Sequence, residues 1–181
     1  MDYSRLGTTI RKDLQEAVAN ILNPEVDPEI RQLNLEILLR EVGTSVYDTI
    51  YAMAAYDMEI EYTTGAGMTN FYYELAKKLS DSVSVGGRSN AIAWLDEWLE
   101  SQILKGEYDA FWTAFESGKH PVATRTEPSD CCPWCRLHVG TFVEPDSEVF
   151  RRHDRCGGVI RVSGYRSRNG TLSGRGWKTV S

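Results

Sequence analysis

Apolar residues return at helical spacing through the first two thirds of the chain, with mostly charged residues between them. Leu6, Ile10, Leu14, Val18 and Leu22 recur every fourth position, one face of an amphipathic helix that Asn23-Pro24 ends. Asp27-Pro28-Glu29 opens a second helix, because Asp can accept from free amides of the first turn and Pro fits the first helical position. Ile30, Leu33, Ile37 and Leu38 make its expected buried face, and Gly43-Thr44-Ser45 predicts a break or kink. Val46, Ile50, Met53 and Ala54 then continue the period towards Tyr62, with Tyr47, Tyr51 and Tyr62 on other faces, where rings can pack and hydroxyls reach water. Thr63-Thr64-Gly65-Ala66-Gly67 reads as a turn, since its Gly-x-Gly lacks the third glycine and the preceding strand of a nucleotide cradle. Phe71, Leu75 and Leu79 mark a further helix that stops before Gly86-Gly87, and Ser89 is the expected cap of the next. That last helix has the cleanest stripe, Ile92, Leu95, Leu99 and Ile103, with Trp94 and Trp98 beside it as core or helix-contact residues. Tyr108, Phe111, Trp112 and Phe115 close the helical region, which Gly118 terminates.

The pattern then changes. Pro121 to Pro128 is extended, and Val122-Ala123-Thr124-Arg125-Thr126 can pair as a strand with Val159-Ile160-Arg161-Val162. The predicted fold class is therefore mainly α: a helical bundle over 1–118, a connector over 119–128, a small zinc-bound α+β module over 129–163, and a basic Gly/Ser/Arg-rich arm over 164–181. With 181 residues the chain can build one sizeable core and a small appendage. Its apolar content of 41% and charged content of 25% are ordinary for a globular protein. No apolar run approaches the roughly 18 residues of a membrane span, so no membrane role is expected.

Charge divides the chain where composition does not. The net charge of −6 combines eight Arg and Lys against one acid in residues 151–181 with twelve against 25 in residues 1–150. The two ends are expected to face different partners.

One stretch demands a particular chemistry. Cys132-Pro133-Trp134-Cys135 and His153-Asp154-Arg155-Cys156 give the spacing C-x2-C-x17-H-x2-C. Each pair grips from one tight turn, and together they supply the four corners of a tetrahedral zinc site. Pro133 stiffens the first turn, and Gly157 permits a positive φ beyond the second. Cys131 can replace Cys132 as a ligand and His138 can compete with His153, but the symmetrical pairs are preferred. A dithiol redox centre needs no distant His-x-x-Cys, and a nucleoside deaminase needs an upstream His-x-Glu and a Pro just before its first Cys, both missing here. The start Met1-Asp2-Tyr3-Ser4-Arg5 carries no apolar signal segment, so a reducing compartment is expected rather than disulfides.

No constellation for catalysis accompanies this site. Gly-x-Ser-x-Gly and P-loop patterns are missing, and Glu59, Glu61, Glu97 and Glu100 lie in helical stretches where carboxylates form the solvated face. With four protein ligands the zinc keeps no position for water, so no enzyme is expected.

The run from Arg125 through Cys132-Pro-Trp-Cys135-Arg-Leu-His-Val-Gly140 to Arg152-His153-Asp154-Arg155-Cys156-Gly157 resembles the C-terminal signature of tailed-phage minor head proteins, the Mu F-like or phage head morphogenesis family. The likeness covers residues 122–165 and departs where Gly158 replaces a frequent last Cys. It implies a virion component in the capsid interior or at the portal vertex, present in host cytoplasm before assembly. Its partners would be portal or capsid proteins, and its role head assembly or DNA packaging and delivery. The alternative is a zinc-finger regulator that binds nucleic acid. At the basic end Arg161, Arg166, Arg168, Arg175 and Lys178 are interleaved with Tyr165 and Trp177, a spacing suited to DNA phosphate contact with aromatic stacking, or to docking on an acidic protein surface.

Overall fold

The structure, a computed structural model, describes residues 3–61, 72–83, 88–127, 129–144, 159–166 and 172–173. These residues are mainly helical. The helices are α1 (Tyr3–Ile21), α2 (Pro28–Asp57), α3 (Tyr72–Ser82), α4 (Arg88–Glu116) and the short α5 (Pro133–Leu137). The strands are β1 (Pro121–Thr126), β2 (Gly140–Phe142), β3 (Val159–Arg166) and β4 (Leu172–Ser173), in one antiparallel sheet of order β2-β1-β3-β4. Among the described residues no helix is long and apolar enough to cross a membrane.

Several helix ends follow from local chemistry. The Asp27 carboxylate accepts from the amides of Glu29 at 2.8 Å and Ile30 at 3.4 Å, and α2 begins at Pro28. At the end of α4, Gly118 takes φ +73°, its amide donates to Phe115 O, and the Lys119 amide donates to Ala114 O. This paired closure satisfies the last carbonyls and needs the left-handed conformation that glycine adopts freely. Helix α4 starts at Arg88, so Ser89 lies inside the first turn rather than capping it.

Helix α2 departs from the expected pattern. It runs unbroken through Gly43, Thr44 and Ser45, because one interior glycine costs only about 1 kcal/mol and packing on both sides holds the helix. Its expected buried face is also rotated: Ile30, Leu33 and Ile37 are exposed, whereas Arg31, Leu35, Leu39 and Val46 are buried. Arg31 can occupy the interior because its Nε donates to Ser80 Oγ at 3.2 Å and a terminal nitrogen donates to Asn23 O at 3.1 Å.

The chain forms two compact units, Met1–Val46 with Met68–Gln102, and Tyr47–Gly67 with Ile103–Ser181, so that α2 and α4 each contribute to both. In the first unit Leu14, Val18, Leu35, Leu39, Leu75, Leu79, Leu95 and Leu99 are buried, and Arg11 bridges α1 to Asp96 and Glu100 of α4. Trp98 is buried too, while Lys78 sits 3.9 Å above the Trp94 ring. From the predicted stripe, Leu95 and Leu99 are core, Ile103 is half-buried, and Ile92 is exposed.

In the second unit the end of α2 lies against the end of α4. Tyr47 and Tyr51, expected to reach water, are fully buried: the Tyr47 hydroxyl donates to Asp109 Oδ2 at 2.7 Å and Tyr51 donates to Thr113 Oγ1 at 3.1 Å. Thr113 donates in turn to Asp109 O at 2.8 Å, and Lys105 pairs with the Asp109 carboxylate. The close approach rests on Gly106, where an added Cβ would lie 2.9 Å from Tyr47 O and 3.2 Å from Ile50.

Two outcomes are expected. Gly106→Ala must push the helices apart against backbone, an overpacking cost of about 1–3 kcal/mol that exceeds the gain of up to about 1 kcal/mol in helix propensity. Urea unfolding of the variant therefore shows a lower midpoint. Burial, and then the bond to Asp109, push the Tyr47 phenol well above its ordinary range, so the folded state keeps a proton that the unfolded chain loses above about pH 10. Stability from this group is complete below that pH and falls above it, by about 1.4 kcal/mol per pH unit. Tyr47→Phe removes that component of the alkaline slope, read as the difference between the two proteins' urea midpoints from about pH 9 to about pH 11.

Candidate metal centre

The sheet sets the position of the cysteine turn. Strand β1 is bonded on both sides: Ala123, Thr124 and Arg125 face Phe142, Thr141 and Gly140 of β2, and Ala123 to Thr126 face Val162 to Val159 of β3. The predicted pairing of 122–126 with 159–162 is thus present, and β2 on the other side makes β1 an internal strand within the expected connector. The chain leaves β1, makes α5, and returns as β2, so the Cys132–Cys135 turn lies between two adjacent strands.

Within this turn the backbone is organised around sulfur. Cys132 stands at the N-cap of α5 in an extended conformation, Pro133 begins the helix, and the Cys135 amide donates to Cys132 Sγ at 3.4 Å. The Arg136 amide donates to Cys132 O at 3.1 Å and the His138 amide to Cys135 O at 3.0 Å, which completes one tight turn. Cys135 is buried, whereas Cys131 and Cys132 are half-buried. An amide directed at the first sulfur, with the second sulfur inside the module, fits two soft donors of one tetrahedral ion.

A charged contact ties the turn to the strand. The Arg125 side chain has 0% exposure and that of Glu127 has 1%, and Arg125 Nε lies 2.6 Å from Glu127 Oε1. Glu127 follows the last residue of β1, and the strand's alternation carried one residue on puts its carboxylate on the side of the guanidinium. The Arg125 guanidinium also lies 5.2 Å from the centre of the Trp134 ring, between the two cysteines in sequence. Trp134 meets His138 as well, with ring centres 4.1 Å apart, and His138 Nδ1 donates to Trp134 O at 2.7 Å.

Of the four predicted ligands, Cys132 and Cys135 are brought together by this turn, while His153 and Cys156 lie outside the described residues. Among the described residues no three His, Cys, Asp or Glu side chains converge as a metal site. His138 is engaged with Trp134. In the basic segment, Arg161, Tyr165 and Arg166 stand on β3, with Arg161 opposite Thr124 and Tyr165 opposite Ser173. Arg168, Arg175, Trp177 and Lys178 lie outside the described residues. The sequence reading missed the Arg125–Glu127 pair; its only signal is charge at alternate positions of a strand. Comparison with protein-family models, curated proteins and solved structures finds no match.

Proposed function

We propose that this chain is a non-enzymatic structural protein of a tailed-phage head, placed at the portal vertex or capsid interior, with its C-terminal module closed by one zinc ion. Cys132, Cys135, His153 and Cys156 would hold the ion, which supplies a crosslink between two turns too small to bury a core between them. The observation that carries the zinc centre is the turn itself, in which the Cys135 amide meets Cys132 Sγ at 3.4 Å beside a buried Cys135. The phage assignment is supported by the resemblance of residues 122–165 alone. In this reading the acidic helical part docks on portal or capsid subunits, and Arg161, Tyr165, Arg166, Arg168, Arg175, Trp177 and Lys178 contact DNA phosphates and bases. The protein is host-cytoplasmic until assembly carries it into the particle.

Metal analysis under reducing, chelator-free conditions is expected to find one zinc per chain. Cys135→Ser and Cys156→Ser abolish that zinc and unfold the module while the helical far-UV signal remains, since structural zinc contributes on the order of 10–16 kcal/mol of apparent binding energy. Zinc-free protein with an ordered module would refute the metal centre.

The wider role is tested in the particle and on DNA. Mass spectrometry of purified virions is expected to find this chain as a component; its absence would favour the regulator instead. The zinc-loaded protein binds duplex and single strands without sequence preference, with affinity falling steeply as salt rises. Joint replacement of Arg166, Arg168 and Arg175 flattens that salt dependence and leaves zinc content unchanged. No binding at low salt would assign the basic segment to a protein surface.

A further inference from the structure

Arg125 has no exposed side-chain surface, and its guanidinium meets the equally buried carboxylate of Glu127 and an aromatic ring. The ring belongs to Trp134, one of only two residues between the thiols of Cys132 and Cys135. The guanidinium is attached to a strand whose backbone is bonded on both sides, so its root cannot shift without breaking the sheet. Glu127 fixes the guanidinium from the same face, at 2.6 Å from Nε. The path from sheet to sulfur is therefore short: β1 carries Arg125, its guanidinium lies 5.2 Å from the centre of the Trp134 ring, and Trp134 stands in the turn that carries both thiols.

We infer that Arg125 is a positioning residue for the metal centre, acting through Trp134 to set the separation and direction of the Cys132 and Cys135 sulfurs. The inference rests on the proposed zinc site and goes beyond it, since a tetrahedral site could be held by its ligands alone. A planar guanidinium suits this task better than an ammonium: it meets Glu127 through a directed N–H and offers a flat face to the indole. Groups outside the ligand shell commonly orient the ligands in this way, and their loss typically lowers metal affinity by about 10–100-fold. A residue that only stabilised the module would lower affinity too, because folding and metal binding are coupled here. It would leave the geometry of the filled site unchanged.

Cobalt separates the two roles, since Co(II) in place of zinc reports tetrahedral geometry through its visible bands and thiolate ligation through its near-ultraviolet charge transfer. The parent full-length chain is titrated first with Co(II) and then with Zn(II) against a chromophoric chelator, followed by R125K, W134L and the double variant R125M/E127M, which strands no buried charge. The expected result is affinity weaker by about 10–100-fold in each variant. At metal saturation, shifted and weakened visible bands accompany it, while the charge-transfer intensity still reports the same number of thiolates. Saturated spectra superimposable on the parent's would overturn the positioning role, whatever the affinity. So would unaltered affinity in a folded variant. Should R125M/E127M fail to fold, R125K and W134L decide on the same two readouts. A parent chain that takes up neither metal with its thiols reduced removes the zinc site itself, a failure visible before any substitution is made.

Discussion

A cation with no exposed surface on the central strand of a small sheet constrains everything around it. Burying the Arg125 guanidinium is tolerable only with a partner, and removing one member of a buried ion pair costs about 3–5 kcal/mol. Glu127 must therefore follow on the same face, and the strand cannot slip by one residue, because a slip would exchange that face for Thr124 and Thr126. Register on one side then fixes β2, and on the other side β3. The cysteine turn, which joins β1 to β2, inherits its place from that register.

The helical half of the same compact unit meets a related constraint with neutral groups. Tyr47 and Tyr51 bring two hydroxyls into an apolar contact, with rings stacked at 6.1 Å between centres. Each hydroxyl must find an acceptor, and α4 offers Asp109 and Thr113 one turn apart. Lys105, a turn earlier still, neutralises the carboxylate from above Tyr47. That ladder requires the helices to approach closely, and Gly106 makes the approach possible. Glycine lowers helix propensity here, so local preference yields to packing.

What was legible in the sequence is what a local rule decides. Asp27 before Pro28, Gly118 after Phe115, and the Leu95/Leu99 stripe each depend on neighbours within one or two turns, and each stands as read. The alternating strand at 122–126 and its partner were also visible, because period two is hard to mistake in a Pro-bounded segment. Helix α2 was harder. Its residues from Ile30 to Leu39 are apolar at six of ten positions, so more than one stripe can be drawn, and the face that wins contains Arg31. No periodicity rule selects an arginine for the interior; Ser80, 49 residues away, and Asn23 O, across the turn before the helix, decide it. Tyr47 was misplaced for the same reason, since its acceptor lies 62 residues away. At the candidate metal centre the cysteine spacing was legible, but the buried pair that lies against its tryptophan depends on a sheet no local rule supplies.

The charge division gains meaning from where the cations lie. Among residues 1–150, Arg31 and Arg125 are buried, while Arg11 and Lys105 are paired with carboxylates of their own helices' neighbours or turn. Residues 1–150 carry twelve Arg and Lys against 25 acids, a balance unfavourable to a phosphate backbone. In the proposed reading contact with DNA falls to the C-terminal segment, where β3 carries Arg161 and Arg166 at set registers against β1 and β4. A cation on a tether gives binding that adapts to any surface; a cation rooted in a strand meets phosphates at fixed spacing. The sheet that positions the cysteine turn therefore also roots part of the basic segment, and loss of the module would disperse both.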